Sequence, residues 1–235
     1  GMRSVDIADE ATVVQEKVVV ATGLFPKDIN ATAMVQVWTP LTEENPKDEW
    51  ALPTFKWIPL GNPINGNNAL FGQNVKLSQD GSLLAVQGSK NMPPDDNDDS
   101  GLGLSCFIRM FQYLESEADW VQLGQDITHE NDRYEEYCPD MTLSADGLTL
   151  VYGYRGFDKD CPHDPTPHGH VRVWSFDTAS QQWIRKGPDL DTLFPNIESQ
   201  QEAYYFGTDH HLSAEGDRVT VLGFELVSLS RVADE

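Results

Sequence analysis

Two stretches of this sequence gather side chains that could hold a metal ion. In "YRGFDKDCPHDPTPHGH", residues 154–170, Asp158, Asp160, Cys161, His163, Asp164, His168 and His170 stand closer together than metal-capable groups anywhere else in the chain. Cys161 with His163 and either His168 or His170 would offer zinc a thiolate and two imidazoles, a ligand set that zinc accepts and that a hydratase or hydrolase could use. No C-x-x-C pairing accompanies them, and prolines stiffen the loop, so a structural loop is preferred over a zinc centre. The second stretch, "PPDDNDDSGLG" at 93–103, places Asp95, Asp96, Asp98 and Asp99 within five residues beside Asn97 and Ser100. Clustered oxygens suit calcium, but the spacing departs from the D-x-[DN]-x-[DN]-G order of the EF-hand loop, and a solvated acidic loop is the simpler reading.

A third set of reactive groups recurs. "LSQDG" at 77, "LSADG" at 143 and "LSAEG" at 212 each set a serine two residues before an acid: Ser78 with Asp80, Ser144 with Asp146, Ser213 with Glu215. A nucleophile would be needed once, whereas a turn-stabilising hydroxyl is needed at every turn, so the repetition argues for hairpins. The Asp-Gly step suits a type I′ turn, and Glu215 predicts a looser final hairpin. His210 and His211 are adjacent in a strand-like run, so their side chains point to opposite faces and do not share one metal.

These hairpins are embedded in a longer repeat. "WIPLG", "WVQLG" and "WIRKG" begin at Trp57, Trp120 and Trp183, 63 residues apart in each case. Each is preceded by an alternating strand, "MVQVW", "FIRMF" or "HVRVW", and followed by the hairpin, with Phe71-Gly72, Tyr137-Cys138 or Phe206-Gly207 between. Four short antiparallel strands per unit predict an all-β, propeller-like repeat, with three full units near 17–88, 104–156 and 168–225 plus a partial one, and "KVVVATG" at 17–23 reads as the exit strand of a hairpin whose "DIADEAT" turn is degenerate. The whole of 1–235 then forms one repeat domain, either a small closed ring or a fragment of a larger one. Unclosed ends would leave strand edges able to pair with another copy. Regular spacing assigns the tryptophans to packing between units rather than to a sugar-binding surface. The one helical candidate, 191–205, is interrupted by Pro195.

The combination of W-x-x-x-G, F-G, L-S-x-D-G-x-x-L-A-V, an acidic loop and G-H-V-R-V-W resembles the propeller-type repeats of algal, especially diatom, and bacterial surface proteins over about residues 17–225. It is also similar in layout to the FG-GAP repeats of integrin-like propellers. The resemblance implies a binding, adhesive or structural role rather than catalysis, with a protein or an extended polymer as partner and no resident cofactor. It does not carry the integrin calcium role onto the hairpins, because one carboxylate per turn falls short of the six to eight oxygens calcium takes. A calcium-linked adhesive or glycan-binding module on Asp95–Asp99 remains the alternative.

Bulk properties narrow the partners. The 235 residues are 39% apolar, enough for a packed core, and 38 acidic against 16 basic residues give a net charge of −22. Phosphate backbones are repelled by such a chain, so nucleic acid is excluded as an expected partner. No run approaches the roughly 18 apolar residues of a membrane helix. Three cysteines, Cys106, Cys138 and Cys161, leave at least one unpaired within the chain. Gly1 ahead of Met2 resembles the residue left after cleavage of a tag, and trimming of a targeting segment would be consistent with a secreted or organellar origin.

Overall fold

The computed structural model describes residues 2–9, 18–24, 33–42, 55–66, 71–91, 104–128, 138, 140–154, 170–191, 207, 209–222 and 226–229. Among these residues the chain is all-β, with antiparallel strands and no helix. The helical candidate at 191–205 lies, from 192 onward, outside the described residues. No described helix is long and apolar enough to cross a membrane. Two compact units are present, Gly1–Lys90 with Phe107–Gln122, and Asn91–Cys106 with Leu123–Glu235.

The first sheet is ordered β1 (Met2–Asp9), β2 (Val18–Leu24), β3 (Met34–Thr42), β4 (Phe55–Pro59), with β5 (Ile64–Asn65) pairing β3. "KVVVATG" is thus the exit strand of a hairpin: Asp9 stands opposite Val18. The second sheet is ordered β6 (Val75–Leu77), β7 (Leu83–Asn91), β8 (Leu104–Leu114), β9 (Asp119–Gln122), with β10 (Ile127–Thr128) on β8. The third repeats that order with β11 (Met141–Leu143), β12 (Thr149–Tyr154), β13 (His170–Asp177), β14 (Gln182–Arg185), and β15 (Leu190–Asp191) on β13. A fourth group joins β16 (Asp209–Leu212), β17 (Val219–Leu222) and β18 (Leu226–Leu229). The first two serine hairpins therefore each open a sheet that the next W-x-x-x-G strand completes, and sheet boundaries fall inside the motif-defined segments. Pairing follows the chain because neighbours in sequence meet at the least loop-closure cost.

The core of the first unit is aromatic and aliphatic. Val35, Val37, Ile64, Phe71, Val75, Leu84, Val86, Phe107, Phe111 and Trp120 are buried together. Phe71 stacks on Phe107 and meets Phe111 edge-on, both at 6.4 Å between centroids. Each such side chain contributes about 1.5–3 kcal/mol on leaving water. In the second unit Val151, Val171, Val173, Val219 and Val221 form the cluster. These β-branched residues sit on alternate strand positions, which sends them to one face. A disulfide joins Cys106 to Cys138.

The three serine hairpins share one geometry that differs from the expected type I′ turn. In the first, the Gly81 amide donates to the Ser78 carbonyl and the Ser78 amide to the Leu83 carbonyl, both at 2.9 Å, enclosing a four-residue loop. Only the glycine is left-handed, with φ of 69° at Gly81, 73° at Gly147 and 71° at Gly216. Two extra residues let the serine hydroxyl turn inward: Ser78 Oγ accepts from the Leu83 amide at 2.9 Å and donates to Asp80 Oδ1 at 2.6 Å. Ser144 and Asp146 do the same at 2.6 Å. The third hairpin is no looser, since the Ser213 amide reaches the Arg218 carbonyl at 2.9 Å. Its carboxylate is supplied by Asp217, which accepts from Ser213 Oγ at 2.8 Å.

Candidate functional site

The W-x-x-x-G phrase builds a step in which the indole of one strand rests on the glycine of the preceding phrase. Trp120, on β9, donates from Nε1 to the Leu60 carbonyl at 2.8 Å. Its Cδ1 would lie 2.8 Å from a Cβ placed on Gly61, whose φ is 75°. Glycine is required there twice over, by backbone conformation and by the ring above it. Asp119 anchors the approach: Oδ1 accepts from the Asn62 amide at 3.0 Å and Oδ2 from Asn62 Nδ2 at 2.8 Å. Those Asn62 donors, joined by the Trp120 amide, hold the Asp119 carboxyl below its ordinary range. Tyr113, opposite on β8, braces the indole at 5.4 Å.

The second step repeats this with different polar chemistry. Trp183, on β14, donates from Nε1 to the Leu123 carbonyl at 3.1 Å, and its Cδ1 would lie 2.9 Å from a Cβ on Gly124, φ 74°. Gln125 takes the place of Asn62 and grips the strand itself, donating to the Trp183 carbonyl at 2.7 Å and accepting from the Trp183 amide at 2.9 Å. Phe176 stands where Tyr113 stood, 5.4 Å from the indole. Trp120 and Trp183 are 8% and 2% exposed, whereas Trp57, whose cross-strand neighbour is Pro40, is 47% exposed. At the other end, Gly187 keeps the left-handed φ of 72°, and among the described residues nothing lies within 4 Å of the position a Cβ would take.

A charged cluster lies beside the second step. Arg172, buried on β13, donates from Nε to Asp189 Oδ1 at 2.7 Å and from Nη2 to Oδ2 at 3.0 Å, while Arg185 pairs with the same carboxylate. Burial works to raise the Asp189 carboxyl, but Arg172, with His170 and Arg185 behind it, holds it below the ordinary range. His210 is buried and His211 exposed, as alternation along β16 requires. Burial keeps the His210 imidazole below its usual pKa against the opposing pull of Asp140 and Asp209.

Of the candidate ligands, Asp95, Asp96, Asp98, Asp99, Cys161, His163 and His168 lie outside the described residues. His170 is buried at the start of β13, in register with Tyr154 and Asp191. Among the described residues no group of three or more His, Cys, Asp and Glu side chains is placed to hold a metal. Sequence reasoning passed over three features: the Cys106–Cys138 bridge, where Tyr137-Cys138 read as a drifted aromatic-glycine pair; the Arg172–Asp189 pair; and Asp217. The last two left a signal, a basic residue in a buried strand and an acid just beyond the expected one.

No family model matches the chain, and no curated protein matches it. Among solved structures the chain is similar to Kuenenia stuttgartiensis hydrazine synthase, at 8% identity and a TM-score of 0.36, over 99% of this chain and 84% of that one.

Proposed function

We propose that the chain is a propeller-like repeat scaffold, laid out like the repeats of surface proteins, that serves as a non-catalytic binding or interaction module. The observation that carries this reading is the recurrence of the tryptophan-on-glycine step, at Trp120 on Gly61 and at Trp183 on Gly124. A motif used repeatedly to stack one strand on another is a framework device, and it leaves the unequal segments between strands to meet a partner. The serine–carboxylate pairs support the same reading, because each hydroxyl is turned onto its own hairpin. With a net charge of −22, a basic protein or a cationic face of an extended polymer is the favoured partner. The disulfide is compatible with an oxidising, secreted or organellar, compartment.

Metal analysis tests this against the metal-dependent alternatives. Protein purified without chelator is expected to carry no stoichiometric metal, and its melting temperature to stay unchanged with EDTA or added calcium. One zinc per chain that disappears in Cys161→Ser and His163→Ala would overturn the reading in favour of a zinc-dependent hydrolase or hydratase. A calcium-dependent rise in melting temperature that is lost on replacing Asp95, Asp96, Asp98 and Asp99 by Asn would replace it with a calcium-linked module.

A further inference from the structure

We infer that His210 is a pH-operated latch: while its imidazole is neutral it holds the β16–β18 sheet against the third sheet, and in mild acid it lets that sheet open ahead of the rest of the second unit. The inference starts from a departure within the repeat. Three residues before the hairpin serine stand Val75, Met141 and His210, and all three are buried. Two hairpins thus fill this slot with an apolar side chain, and the third fills it with a titratable one. His210 stands opposite Val221 and two residues before Leu212, so its side chain lies on the face that packs on Val151, Val171 and Val173.

At this seam β16 lies against β11 and β12. Thr142 Oγ1 donates to the His210 carbonyl at 3.1 Å, and the Ala145 amide to the Ala214 carbonyl at 2.9 Å. Gly153 makes room for the ring, since a Cβ there would lie 2.8 Å from His210 Nδ1. The Gly207 and Val151 carbonyls approach the imidazole, but neither ring nitrogen makes a hydrogen bond among the described residues. A neutral ring so placed leaves a donor and an acceptor unmade, a cost that valine or methionine avoids, and a charged ring would have to enter a seam of valines. Among the described residues, Asp140 beside β11 and Asp209 on β16 are the charges that act on the ring, and both favour the imidazolium. β17 carries no ionisable side chain, and Tyr152, His170 and Arg172 alternate onto the far face of the third sheet. Burial outweighs the two carboxylates and keeps the ring below its usual pKa. In the open sheet the ring regains the ordinary value near 6.5, so acid draws the equilibrium toward opening.

Amide hydrogen exchange of the whole chain between pH 7 and pH 5, read as protection factors, tests the latch. Protection on β16–β18 is expected to fall by up to about 25-fold over that range, the limit for one proton bound at 6.5 in the open sheet, while protection on β12 and β13 changes by less than about threefold. His210→Val and His210→Met, which copy the other two hairpins, should remove the fall. His211→Gln, on the exposed face of the same strand, should keep it. Titration of the wild-type ring by NMR gives a reading that needs no variant to fold: His210 should stay neutral at pH 6.5. Protection on β16–β18 that is flat from pH 7 to pH 5, a fall that persists in both apolar variants, or a ring that protonates at or above pH 6.5 would each overturn the latch. It does not depend on the binding role proposed above, and the metal analysis bears on that role alone.

Discussion

Two residues before its tryptophan, the first unit buries Gln36 and the second buries Arg172. Gln36 is met by backbone carbonyls, donating from Nε2 to the Val37 carbonyl at 2.8 Å and reaching the Gly61 carbonyl at 3.5 Å. A guanidinium cannot do that in a buried strand and must be met by a charge. The second unit supplies Asp189, six residues after Trp183, at the place where the first unit has Pro63 six residues after Trp57. The positions have therefore exchanged as a pair, glutamine with proline and arginine with aspartate. The cores differ in the same spirit: phenylalanines join the valines in one cluster, and the other is made of valines. Turns and steps are what the repeat holds constant, and the filling varies so long as each buried group finds its complement.

The largest test of that contrast concerns the tryptophans. Trp183→Ala should cost about 3–5 kcal/mol in denaturant unfolding, whereas Trp57→Ala should stay within about 0.5 kcal/mol. Equal losses would mean that the step is not what stabilises the framework. Next in size, Asp189→Ala strands Arg172 and should cost about 3 kcal/mol. Adding Arg172→Gln, which copies the first unit, should recover most of that loss. If the double variant is no better than the single one, the two arrangements are not interchangeable solutions.

The hairpins give a smaller effect. Asp217→Ala should cost about 1 kcal/mol and Glu215→Ala nearly nothing, the reverse of what alignment with Asp80 and Asp146 suggests. Smallest is a pH effect confined to the second unit. The folded His210 pKa lies below its ordinary 6.5, so the unfolded chain binds more protons as pH falls through that value, and stability declines from about pH 6.5 downward. The slope cannot exceed one proton, about 1.4 kcal/mol per pH unit. His210→Gln should flatten it in melting curves taken above pH 5. The carboxylates act lower: the depressed values of Asp119 and Asp189 preserve stability above about pH 4 and lose it only beneath.

Much of this framework was legible because its signals are local. Asp-Gly after Leu-Ser marks a hairpin wherever it occurs, and alternation in "HVRVW" marks a strand, although β13 buries His170 and Arg172 as well as the valines beside them. The type of turn was not legible, since it depends on how the serine hydroxyl folds inward to meet the Leu83 amide. The left-handed Ala118 and Gln181, φ 52° and 57°, carry no glycine to announce them. The regular tryptophans predicted packing, which Trp120 and Trp183 show and the half-exposed Trp57 does not, and spacing alone could not tell that Trp120 needs Gly61 beneath it and the Leu60 carbonyl beside it. Pairing of Arg172 with Asp189 crosses seventeen residues and a strand turn, and side-chain identity alone does not encode that distance. The candidate metal loops were conspicuous in composition, yet ligand-rich composition does not specify a coordination geometry.

The Cys106–Cys138 bridge spans 32 residues of sequence and gives the middle of the chain a covalent second path. A protease that cuts any peptide bond within that span leaves two polypeptides still tied together, and they separate only when a reductant opens the sulfurs. Such a molecule can be nicked between these cysteines and still migrate as one species, so a cut inside the span becomes a visible break only in a reducing environment.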